Sequence, residues 1–362
     1  MVKLNISYRE GFFLKPSLSR KIKQRTNRRV RKLPEYVEDF VFENKDSKEP
    51  QTLLAYIKDI TLFFDYLAYS GFIESDADYT DIPISVLEEL SKRDVQRFLD
   101  YLEDYDKTYE TKTGKVVTRT FKNDTYGKAR KLAAVRELFE FLADKGLLKN
   151  NVARTIKLKV VSRGYIKDRL SNEQIKDLFS AIDEFGKSKM KHAEHVALRD
   201  FTILTILAFS GIRVSELIQL DINDISLHDE TMLVLRKGGK KQKIDLSPKI
   251  IEQLNVYLPY RSGLAAKNKE DEQSLFLSMQ GKRPSSQSIL NSLKKYGERA
   301  EIPFGVTPHV LRRTFGTNIY RKEGDMYLVA DMLGHSSAET TRKHYVSIDE
   351  DRKKSTIKSF DY

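Results

Sequence analysis

The sequence predicts a mainly α-helical protein of two domains with a small β component. Three observations lead there. The chain has 362 residues, which suits two domains at roughly 150 residues each. Apolar residues recur at steps of three and four along most of it, the period of a helix with one buried face. Strand-like patterning is confined to two short places, near residues 106–121 and 231–246.

The elements follow in order. Leu53, Leu54, Ile57, Ile60, Phe64 and Leu67 form one apolar stripe, and Gly71 stands where that helix would stop. Ser91-Lys-Arg-Asp94 has a capping-box pattern ahead of Val95, Phe98, Leu99 and Leu102, a second helix. Thr113-Gly114 followed by Val116, Val117 and Thr118 reads as a small hairpin or an ordered loop. A third helix follows Asp124 or Thr125, with Leu132, Val135, Leu138, Phe139 and Leu142 inward and Gly146 as its stop. Lys128, Arg130 and Lys131 lie near its start, and on spacing alone they are a solvated face. Residues 154–169 hold six basic residues against one acid and no helical stripe, an extended basic linker.

Helix resumes at the capping pattern Ser171-Asn-Glu-Gln174, with Leu178 and Ile182 on its face. Ala197, Phe201, Leu204 and Leu207 line the next helix, broken at Ser210-Gly211. Strands over 231–235 and 242–246 are joined by the cationic turn Lys237-Gly-Gly-Lys-Lys241. Helices are expected around 248–258, 285–300, 309–321 and 325–333.

Composition narrows the function. With 40% hydrophobic and 10% aromatic residues the chain can bury a substantial core. No window approaches the ~18 uninterrupted apolar residues of a membrane span, so no membrane insertion is expected. The first residues lack the apolar run of a secretory signal, so a cytoplasmic location is expected. There is no cysteine, which excludes disulfides, thiolate metal sites and cysteine nucleophiles. Residues 1–34 carry 11 basic residues and one acid, most of the chain's net +12. Such a segment is either an arm for a phosphate backbone or a solvated tail.

No phosphate-cradling glycine loop, dinucleotide fingerprint or H-E-x-x-H helix is present. Three of the six histidines, His309, His335 and His344, fall near the C-terminus beside Arg312, Arg313, Arg342 and Tyr345. They show no clear ligand spacing with acids, so no metal is expected. His309 and Arg312 are three apart on one predicted helix, a plausible clamp for a tetrahedral phosphate or else a surface pair. Arg213 follows an apolar helix, where a charge is costly to bury without a partner, and Glu216 is placed to hold it. Lys237 sits in a turn whose two glycines allow close backbone approach to a ligand.

Four segments together carry a resemblance: AFSGIRVSEL (208–217), LRKGGKKQKIDL (235–246), TPHVLRRTFGT (307–317) and LGHSSAETTRKHY (333–345). In order and separation they resemble the tyrosine recombinases of the phage integrase and Xer group. The likeness is fainter over 50–167 and does not cover the basic arm. It implies a helical core-binding (SAM-like) domain and a mixed α-helical catalytic domain with a small β-sheet, the DNA breaking-rejoining fold. The expected organisation is an arm at 1–34, core-binding domain at 35–153, linker at 154–169, catalytic domain at 170–345 and a tail at 346–362 that packs on a neighbouring protomer.

The resemblance also implies roles. Tyr345 is the nucleophile on the scissile phosphate. Arg213 and Arg312 neutralise its oxygens, Lys237 protonates the leaving oxygen, His309 assists proton movement at Tyr345, and His335 donates to the phosphate. Glu216 braces Arg213. Candidate DNA contacts are Lys128, Arg130, Lys131, Lys157, Lys159, Arg163, Lys167, Lys240, Lys241 and Arg313. Two departures stand out: Tyr345 lies ten residues after His335, where many members have nine, and Arg313 replaces a common histidine.

The implied partner is double-stranded DNA with an inverted-repeat site, bound by a homotetramer on two sites, with an accessory protein of unspecified kind. No cofactor is implied, and the location is bacterial and nucleoid-associated. Length, the 106–123 insertion and the LPEYVEDF start are similar to single-protein Xer recombinases of Gram-positive bacteria, which resolve chromosome dimers. The alternatives are an integrase or transposase of a mobile element, a catalytically silent DNA-binding regulator, and a type IB topoisomerase.

Overall fold

Apolar steps in the sequence become buried helix faces in two separate cores. The computed structural model describes residues 16–111, 114–158, 168–236 and 239–334. The chain divides into two compact units, Met1–Gly164 and Tyr165–Tyr362.

In the first unit α1 (Pro16–Val30), α2 (Glu35–Asn44) and α3 (Pro50–Tyr69) are followed by α4 (Ile84–Glu88) and α5 (Lys92–Tyr101). Strands β1 (Asp104–Glu110) and β2 (Val116–Lys122) then pair as an antiparallel hairpin before α6 (Thr125–Asp144). The Ser91 box forms as expected: Asp94 accepts from the Ser91 amide at 2.9 Å, and Ser91 Oγ accepts from the Asp94 amide at 3.4 Å. Asp124 is the cap of α6, accepting from Gly127 N–H at 2.8 Å. Phe63 on α3 sits edge-on to Phe98 of α5 at 5.0 Å and to Phe139 of α6 at 6.1 Å, joining three helices through aromatic contacts.

Two helices here were not expected from sequence. α1 lies in the segment read as an arm and packs along α3, with Val30 and Leu33 buried in the unit's core. α2 buries Val37, Phe40 and Val41. At the other end the packing runs past Ala153 to Ile156, which falls inside the stretch read as linker. The hairpin is a pair of full seven-residue strands rather than a loop.

The second unit is built on α8 (Ala193–Ser210), which buries eleven of its 18 residues, so it runs through the core rather than over it. Against it pack α7 (Asn172–Gly186), α10 (Pro248–Ser262), α11 (Ser286–Arg299) and α12 (Pro308–Glu323). The short α9 (Val214–Leu217) leads to a three-stranded antiparallel sheet: β3 (Ile225–Ser226), β4 (Thr231–Leu235) and β5 (Lys241–Asp245), in that order. Helix α13 (Met326–Leu333) ends the described chain. β3 adds a strand that the sequence pattern was too short to show. No described helix is long and apolar enough to cross a membrane.

Candidate active site

Two arginines of the second unit, Arg213 and Arg236, converge on one carboxylate, that of Glu216. α8 ends at Gly211, whose φ of 63° gives a left-handed cap. An added Cβ there would run into the Phe315 ring, so only glycine lets the chain turn this close to α12. The turn delivers Arg213 to the start of α9. Its amide donates to Glu216 Oε2 at 2.8 Å and its guanidinium to Glu216 Oε1 at 2.8 Å. Glu216 is only 3% exposed, whereas the Arg213 side chain is 32% exposed. One face of Arg213 is thus braced and another stays open to a ligand.

A second cation reaches the same carboxylate. Arg236, at the end of β4, donates to Glu216 Oε2 at 2.7 Å, to Gln242 Oε1 at 2.8 Å and to the Met332 carbonyl at 3.1 Å. It is buried, and loss of water pulls its pKa below the ordinary value while Glu216 pulls it back up. Sequence reasoning missed Arg236. It stands among four other cations in LRKGGKKQK, and nothing in that string marks which one turns inward.

Arg312 enters from α12. It is buried, donating to the Gly211 carbonyl at 2.6 Å and to the Leu333 carbonyl. One arginine therefore ties the turn before Arg213 to the end of α13, where Gly334 and then His335 follow. The shared face expected of His309 and Arg312 holds only in part, because His309 reaches solvent while Arg312 is buried. Partial burial, and then the charges of Arg312, Arg313 and Arg213, push the His309 pKa below its ordinary 6.5. At neutral pH His309 is uncharged and able to accept a proton.

Lys237, His335 and Tyr345 lie outside the described residues, as do Lys159, Arg163, Lys167, His344 and the tail 346–362. The remaining basic candidates differ in setting. Lys157, Lys240 and Lys241 are exposed. Arg313 donates to the Asp168 carbonyl at 2.8 Å. On α6, Lys131 is buried and donates to Asn123 at 2.5 Å, rather than standing on a solvated face. Lys128 pairs with Glu103, and Arg130, half exposed, pairs with buried Asp59. Burial raises the Asp59 pKa, against the lowering pull of Arg130 and Lys131. Among the described residues no three His, Asp or Glu side chains come together as a metal site.

A pair of arginines fixed by a buried acid and by backbone carbonyls, with a neutral histidine nearby, suits a phosphodiester that gains negative charge during reaction. Comparisons with known proteins bear on the family. The family model described as "Phage integrase family" matches residues 168–352. The tyrosine recombinase XerS of Streptococcus uberis is 29% identical over 326 residues, covering 83% of this chain and 88% of its own. The tyrosine recombinase XerD of Mycobacterium tuberculosis is 30% identical over 291 residues, covering 80% and 85%. Among solved structures, the XerH site-specific recombinase bound to its difH substrate aligns with a TM-score of 0.57 at 23% identity, over 81% of this chain and 74% of that one. That structure shares the fold, and the matches in sequence go further: the chain belongs to the phage integrase family.

Proposed function

We propose that this chain, a tyrosine-type site-specific recombinase of the Xer kind, cuts and rejoins duplex DNA through Tyr345. The Tyr345 oxygen attacks the scissile phosphorus, and the bond from phosphorus to the 5′-oxygen breaks. A 3′-phosphotyrosine and a free 5′-hydroxyl result. The phenol proton passes toward neutral His309, and the Lys237 ammonium gives a proton to the departing 5′-oxygen. Arg213, Arg312 and His335 carry the charge that builds on the non-bridging oxygens. Attack by a 5′-hydroxyl from the other duplex reverses these steps, so the bond energy kept in the phosphotyrosine makes ATP unnecessary.

The observation that carries this reading is the pair of anchored arginines. Arg213 is held by Glu216, and Arg312 is held by the carbonyls of Gly211 and Leu333, which joins three of the motif segments at one place. Duplex DNA with inverted repeats is the substrate, bound by four protomers on two sites, with residues 346–362 packing between neighbours. The exposed Lys157, Lys240 and Lys241 contact phosphates, and affinity falls steeply with salt. The protein works on the nucleoid in the cytoplasm.

The biological role is resolution of chromosome dimers. The relatives matched over most of this chain carry Xer names, which favours this role over mobile-element integration. The test is a plasmid with two directly repeated copies of a chromosomal terminus site from the source organism. Excision of the intervening segment supports the role. Joining of an element end to an unrelated target, with no excision, would replace it with integration.

A further inference from the structure

The cations of α1 have no part in the function above. The helix holds six basic residues and no acid. Like charges three and four apart on a helix repel, as Arg25 does Arg28 and Arg29. The helix dipole accounts for Arg28 and Arg29, which lie in the last turn, but not for Arg20, Lys23 or Arg25. All five side chains are exposed, and among the described residues none of them makes a hydrogen bond or an ion pair. At its C-terminal end the segment faces acids, where Arg29, Arg31 and Lys32 line a cleft with Asp76 and Asp78. Arg20, Lys23, Arg25 and Arg28 lie outside that cleft.

The α6 cations expected to meet DNA are engaged instead. Lys128 pairs with Glu103, Arg130 with Asp59, and buried Lys131 donates to Asn123. Nor is α1 a loose tail. Thr26, Val30 and Leu33 are buried, and the helix packs along α3. The core of the unit therefore fixes where the free charges stand.

We propose that α1 is a phosphate-binding surface: Arg20, Lys23, Arg25 and Arg28 contact the backbone of duplex DNA. The inference rests on the reading of the chain as a DNA recombinase. Each cation that meets a phosphate releases a condensed counterion, which offsets the repulsion among the four. Backbone contacts carry no base information, so α1 adds affinity on every sequence and leaves the choice of site to other residues.

The salt dependence of binding reads this directly. Full-length wild type and a variant with Arg20→Gln, Lys23→Gln, Arg25→Gln and Arg28→Gln are titrated with a duplex of random sequence over a range of salt. Each lost contact flattens the slope of log affinity against log salt by about 0.9. The variant's slope should be flatter by about 1.8 or more, the loss of at least two contacts. A smaller change overturns the inference.

A tethered probe locates the contact. The chain has no cysteine, so Asn27→Cys, at an exposed position of α1, gives a single thiol for an iron chelate that cuts nearby DNA backbone. Strand cuts made by the tethered chelate, and not by free chelate at the same concentration, support the proposal. A duplex left intact while the protein is fully bound overturns it and leaves α1 to an acidic protein surface. Should the quadruple variant fail to fold, the chelate decides alone. If wild type binds no DNA at all, the recombinase reading falls first and takes this inference with it.

Discussion

The two units bury charge very differently. Among the described residues, the first unit's interior holds two charged side chains, Asp59 and Lys131, around a core centred on Phe63, Phe64, Phe98 and Phe139. The second holds five: Asp200, Glu216, Arg236, Arg261 and Arg312. Buried charge is costly unless each group is paired and hydrogen-bonded. A unit that only holds a ligand can keep its cations at the rim over an ordinary aromatic core. On the proposed function, the second unit presents fixed cations to a reacting phosphate and has to anchor them from inside; Glu216, bonded to both Arg213 and Arg236, is the clearest such anchor.

The strongest way to break this contrast is Glu216→Leu. It leaves Arg236 buried and Arg213 half-buried with no carboxylate between them, and removing one partner of a buried pair costs about 3–5 kcal/mol. Urea unfolding should show that loss in the second unit, with cleavage abolished. A variant as stable as wild type would mean that the arginines do not depend on the acid. Next comes Gly211→Ala. A left-handed backbone with a Cβ costs about 1–2 kcal/mol before the collision with Phe315 is added. Arg312 is bonded to the Gly211 carbonyl, so cleavage should fall together with stability.

Asp59→Asn sharpens the comparison from the other side. The Arg130 side chain is 52% exposed, so water screens much of the pair. The expected loss is about 1–2 kcal/mol, below the range for a fully buried pair. Cleavage of bound DNA should stay near wild type. A catalytic loss as deep as that of Glu216→Leu would erase the distinction between the units.

The smallest effect is one of pH. His309 is held below its ordinary 6.5, so it is neutral at pH 7 and becomes protonated only on the acid side of that value. The cleavage rate should therefore hold near neutrality and decline below pH 6.5, as the proton acceptor is lost. His309→Gln should flatten that acid limb. An unchanged limb in the variant would assign it to another group.

Much of this organisation was legible in the sequence, for identifiable reasons. The helices at 50–69, 92–101 and 125–144 announce themselves because each buries one stripe of large apolar residues, and Ser91 and Ser171 mark starts that both form capping boxes. Arg213, Glu216, His309 and Arg312 were legible through motif order. α1 was not, because its many cations hide a face that includes the buried Thr26 and Val30. Arg236 and Asp59 were hidden for a related reason. A charge that is buried by tertiary packing looks, in one dimension, like any charge on a surface.

The central claim is covalent chemistry at Tyr345, and a nicked suicide substrate tests it most directly. Wild type, Tyr345→Phe and His344→Phe are incubated with the nicked DNA and then denatured. The account predicts a protein–DNA adduct that survives denaturation in wild type and in His344→Phe and is absent only in Tyr345→Phe. Tight binding of the correct site by wild type without any adduct would contradict it and leave a DNA-binding protein without catalysis.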